Sequence, residues 1–86
     1  MSYKHPPKVG STLHDCIVVA TVFTCDDDER TWTMLVLSID PREEAAGEHY
    51  VLSEIALTDD YPVMWFVRYP NIVPAVEAYQ QNGGDW

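Results

Sequence analysis

Apolar residues in this chain come in runs. Cys16-Ile17-Val18-Val19-Ala20-Thr21-Val22-Phe23 and Trp32-Thr33-Met34-Leu35-Val36-Leu37-Ser38-Ile39 are two of them, separated by an acidic stretch from Cys25 to Arg30. Dense β-branched and aromatic residues without strict alternation mark strands covered on both faces. A hairpin is therefore predicted, with strands from Leu13 to Thr24 and from Thr31 to Asp40. The turn between them falls on Asp26, Asp27, Asp28 and Glu29, since Asp side chains bond readily to nearby backbone. Pro41 ends the second strand, and a loop over 41–48 carries a helical turn from Arg42 to Ala46 before Gly47 breaks it. A third strand is expected from His49 to Thr58, a turn at Asp59, Asp60 and Pro62, and a fourth strand from Val63 to Tyr69. Ile72, Ala75, Val76 and Tyr79 then recur at helical spacing. With Asn71 as N-cap, Pro74 in the first turn and Gly83 as the stop, they predict a helix over Asn71–Asn82.

The fold expected is α+β: an antiparallel three- to four-stranded meander with one C-terminal helix packed on one face. Residues 1–12, with Lys4, Lys8, two prolines and Gly10, read as a flexible N-terminal arm adding at most a short edge pairing. Residues 13–82 form a single domain, and 83–86 a short C-terminal tail. Eighty-six residues are enough for one small core.

Pairing near Thr24 and Thr31 puts Cys16, Val18, Ala20 and Val22 on one face with Leu35, Leu37 and Ile39. Ile17, Val19, Thr21 and Phe23 share the other with Trp32, Met34, Val36 and Ser38. In the third strand Val51, Ile55 and Leu57 alternate with Tyr50, Leu52, Glu54 and Ala56. One helix covers one face only, so the second apolar face must meet something else. Phe23, Trp32, Met34 and Tyr50 have the aromatic and Met content of interface cores, which makes them candidates for partner binding or homodimerisation. The competing expectation is that Val63–Tyr69, with Trp65 and Phe66, or the Trp86 tail folds over this face.

Charge narrows the classes of partner. Five Lys and Arg against fourteen Asp and Glu give a net charge of −9, the wrong sign for direct nucleic-acid binding, which draws its affinity from basic residues. A basic protein partner suits it better. Meander order brings Asp26, Asp27, Asp28 and Glu29 to the same end of the sheet as Asp59 and Asp60. These carboxylates can dock Lys and Arg, or stand in for phosphates in a nucleic-acid mimic. They lack the ligand pattern of a calcium loop, so no metal site is expected.

Cys16 and Cys25 lie far apart along one extended strand and cannot bridge each other. Reduced thiols, no signal-peptide core and no apolar run of membrane-spanning length make a cytoplasmic protein the expectation. No phosphate loop, Cys-pair zinc motif or nucleophile elbow occurs, so no cofactor is expected. His14, Asp40 and His49 can approach one another at the end opposite the acidic turns. They are the candidate group for a small enzyme or a ligand-sequestering protein.

The strand Met34–Asp40 and the passage Val67-Arg68-Tyr69-Pro70-Asn71-Ile72-Val73-Pro74-Ala75-Val76-Glu77-Ala78-Tyr79 resemble small uncharacterised proteins of actinobacteriophages. The resemblance implies a non-virion phage protein acting in the host cytoplasm; it implies no activity and transfers no site residue. The expectation from the sequence is thus a small acidic non-enzymatic protein that binds and modulates another protein. A nucleic-acid mimic and a ligand-sequestering protein or enzyme are the alternatives.

Overall fold

The computed structural model describes residues 5–25, 32–43, 47–58 and 60–86. It shows five strands and one helix: β1 Thr12–Leu13, β2 Cys16–Cys25, β3 Trp32–Ile39, a 3-10 turn over Pro41–Glu43, β4 Tyr50–Ala56, β5 Val63–Tyr69 and α1 Ile72–Gln81. The strands form one antiparallel curled sheet in the order β1-β2-β3-β4-β5. The architecture is α+β and antiparallel as expected, but the sheet has five strands rather than three or four. The additional strand is β1. Residues read as the start of one long strand instead form a tight hairpin, Leu13 pairing with Cys16 around His14 and Asp15. Both turn residues have positive φ, 51° and 66°, which is the backbone of a two-residue hairpin turn matched to strand twist. His and Asp tolerate that conformation better than most residues, yet they lack the usual Asn-Gly signature.

Register divides the side chains between two faces. Val22, Leu35, Glu54 and Trp65 lie across the strands on one face, as do Ala20, Leu37, Leu52 and Val67. Here α1 packs, with Ala75 and Tyr79 fully buried against Ala20, Leu35, Leu37 and Leu52. The opposite, inner face carries the rows Phe23, Met34, Ile55, Val63 and Thr21, Val36, Ser53, Phe66, followed by Val18, Ser38, Val51, Arg68.

Three expectations about these faces change. Val19 is a bulge: Val18 pairs with Ser38 and Ala20 with Leu37, leaving Val19 opposite nothing. The extra residue reverses side-chain parity below it, so Val18 joins the inner face rather than that of Leu35 and Leu37. Tyr50 pairs with Ile39 and Tyr69 and packs in the helix-side cluster, so it does not share a face with Phe23 and Trp32. Met34 is on the inner face but only 2 % exposed. Its cover is neither β5, which pairs at the sheet edge, nor Trp86, whose ring meets Tyr79 edge-on at 6.2 Å. Leu57 and Tyr61 from the β4–β5 connection, together with Leu13, close over Met34, Val36 and Ile55.

The helix ends as its sequence dictates. Gly83, at φ 108°, allows its own N–H to bond the Gln80 carbonyl and the N–H of Gly84 to bond that of Tyr79, the paired Schellman closure. Asn71 occupies the N-cap position with extended backbone, but its side chain makes no capping bond.

Candidate functional site

Curling of the sheet turns its inner face into a pocket of about 140 Å³. Leu13, His14 and Cys16 line it from the β1–β2 hairpin, Ser38 and Arg42 from β3 and the turn after it, Val51 and Ser53 from β4, and Val63, Phe66 and Arg68 from β5. Residues from both margins of the sheet thus meet around one space. His14 Nε2 donates to the Tyr61 carbonyl at 2.8 Å, and the Tyr61 hydroxyl donates to the His5 carbonyl at 2.5 Å. These two bonds tie the first hairpin, the β4–β5 connection and the N-terminal arm together.

Asp40 organises the pocket's charged end. Its carboxylate is completely buried. Arg42 donates to it through Nε at 3.0 Å and through a second guanidinium nitrogen at 3.1 Å, and the Arg42 backbone N–H adds a bond at 3.1 Å. Arg68 reaches the same carboxylate from β5 with two nitrogens at 3.3 Å. The hydrogen bonds from Arg42 hold the Asp40 carboxyl down at about 2, with a smaller contribution from Arg68. Arg42 also meets Asp15 at 3.3 Å, and its own pKa is raised, chiefly by its bond to Asp40. The arrangement needs β3, its following turn and β5 in register, because Arg68 and Asp40 are 28 residues apart in the chain.

Cys16 lines the same pocket as a free, buried thiol. Burial raises its pKa and the nearby Asp40 charge adds to the rise, so the thiol stays protonated and is a poor nucleophile.

Of the candidate trio, His14 lines the pocket and Asp40 is bonded to two other lining residues, Arg42 and Arg68. His49 is not among the lining residues; its ring lies on Tyr50 at 4.3 Å, with Nδ1 buried and unpartnered, and its backbone carbonyl accepts from the Asp40 N–H at 2.7 Å. Among the described residues no group of three or more His, Cys, Asp or Glu is placed to hold a metal ion.

The surface candidates separate as well. Phe23 and Trp32 stand at the distal end of the β2–β3 hairpin, 52 % and 50 % exposed. Met34 and Tyr50 are withdrawn from that surface, one by the β4–β5 connection and the other by lying on the helix face. Met64, Val67 and Phe66 on β5 are exposed too, Phe66 by 58 %. Asp60 is exposed; Asp26, Asp27, Asp28, Glu29 and Asp59 lie outside the described residues.

Sequence reasoning missed the two arginines. For Arg68 a signal was present: it alternates with Phe66 along β5 and falls in one row with Val51 and Ser38 once the register is correct; Arg42, in the turn after β3, has no such periodic signal. No helix among the described residues is long and apolar enough to cross a membrane. Comparison of the chain with protein-family models, curated proteins and solved structures finds no match.

Proposed function

We propose that the protein is a non-enzymatic binding module that engages and modulates another protein through the surface around Phe23 and Trp32. The observation that carries this reading is that two large aromatic side chains on one face of the hairpin stay half exposed, although the neighbouring Met34 and Ile55 are covered. Aromatic anchors of this kind dominate protein interfaces. A net charge of −9 favours a basic partner and speeds its approach. The resemblance to actinobacteriophage proteins would make that partner a host protein in the cytoplasm. The non-enzymatic part of the reading is supported by chemistry: Asp40 is engaged by two guanidiniums, which suits a structural role better than proton transfer, and Cys16 is held as a neutral thiol.

A photo-crosslinker at position 23, compared with one at the exposed Glu77 on α1, tests the surface. The expected result is a discrete adduct from position 23 alone, lost on Trp32→Ser in a variant whose amide spectrum stays native. Equal capture from both positions would overturn the assignment. So would binding that survives Trp32→Ser but is lost on charge reversal at Asp26 to Glu29, which would favour a nucleic-acid mimic.

A further inference from the structure

We propose that the inner-face pocket binds a small organic anion, a carboxylate on a short apolar body, with its head group against Arg42 and Arg68 and its body against Phe66 and Val63. The chain has only five Lys and Arg, and two of them line this one pocket. Around it, two guanidiniums face one buried carboxylate, Asp40. Among the described residues the other carboxylate in contact is Asp15, 3.3 Å from Arg42 with a side chain 74 % exposed, a solvated pair that contributes little. Two guanidiniums thus face two carboxylates, of which only Asp40 is buried, and the exposed Asp15 is the one an incoming carboxylate can displace.

Asp40 does more than balance charge. By gripping both guanidiniums it fixes them before any ligand arrives, and an ordered Arg fork loses less freedom when it takes a carboxylate. Next to the fork the wall turns apolar. The Arg68 guanidinium lies 5.8 Å from the centre of the Phe66 ring, and Leu13, Val51 and Val63 extend that surface. The exposed Phe66 and Val63 side chains are what a ligand's hydrocarbon would cover. Convergent polar groups on a mostly apolar concave wall are the usual composition of a small-molecule site. Binding here requires no protein partner and stands apart from the Phe23 and Trp32 surface.

The test is a titration of the full chain, labelled for amide NMR, with benzoate, neutral benzamide and inorganic phosphate. Saturable benzoate shifts confined to residues 13–16, 38–42, 51–53 and 63–68 are expected, with benzamide and phosphate each about ten-fold or more weaker. Arg42→Gln should weaken benzoate by about ten-fold, and it leaves Arg68 to hold Asp40. The paired change Asp40→Asn with Arg68→Gln removes both charges of that contact together and should also weaken benzoate. The proposal is overturned by the absence of saturable shifts, by benzamide or phosphate binding as tightly as benzoate, or by unchanged affinity in a variant whose spectrum remains native.

Discussion

Gly84 lies directly against the ring of Tyr79: a methyl group at its Cα would stand 2.3 to 2.6 Å from three ring carbons. The ring is fully buried beneath the sheet, its hydroxyl bonds Asp85 at 3.2 Å, and Trp86 closes on it from the side. It therefore has little room to retreat. Gly84→Ala should destabilise the fold by about 1–3 kcal/mol, the usual range for overpacking, seen as a lower urea midpoint with an unchanged slope.

The same ring predicts behaviour in alkali. Burial, reinforced by the Asp85 charge, pushes the Tyr79 hydroxyl up to about 12 from an ordinary value of 10. A group whose folded pKa is raised contributes stability that is fully present below the unfolded value and lost as pH rises through the folded one. Stability should hold up to about pH 10 and fall between about 10 and 12. Tyr79→Phe should remove that part of the decline in denaturation measured across this range.

Asp40 gives the mirror image in acid. Its pKa is lowered from 3.8 to about 2, first by the hydrogen bonds from Arg42. A depressed carboxyl contributes stability that is present above the unfolded value and lost as pH falls through the folded one. The window is therefore from about pH 4 down to about 2. Asp40→Asn should flatten this part of the profile, starting from a lower stability at neutral pH.

Glu54 joins three strands on the helix face. One carboxylate oxygen accepts from Thr24 at 2.9 Å, the other from the Trp65 indole at 3.1 Å, and Thr24 and Thr33 meet at 2.7 Å between them. Glu54→Ala strands these donors in a partly buried position and should lower stability by about 1–3 kcal/mol. A shift in indole emission that disappears in a Trp65→Phe background would assign the effect to this network.

Cys16 should resist thiol reagents. With Cys25→Ser to leave a single thiol, labelling should be slow in the native state and complete at once in denaturant, because burial both shields the sulfur and keeps it protonated. Native-state labelling as fast as that of a small free thiol would contradict the packing of the first hairpin.

What the sequence made legible was what local chemistry controls. Val63–Tyr69 matches the expected strand residue for residue, and the helix differs by one residue at each end, since Pro62, Asn71 and Gly83 act within a few residues of themselves. Less visible was anything set by fit between distant segments. The Val19 bulge has no composition signal, because Val-Val suits a regular strand equally well. That single extra residue decides whether Val18 faces the helix or the pocket. Tyr61 looked like part of a turn, and only the folding back of the β4–β5 connection made it a lid over Met34 and Val36. The pocket arose from the same source: the sequence groups Asp40 with His14 and His49, and only the register puts it beside Arg68.

The meander topology also shapes how the chain reaches this structure. Every ladder joins strands adjacent in sequence, so each pairing closes a short loop at small entropic cost, and hairpins can zip one after another. The His14 to Tyr61 bond spans 47 residues and the Tyr61 to His5 bond spans 56. The first hairpin and the N-terminal arm are thus held to the β4–β5 connection by bonds that lie outside every ladder.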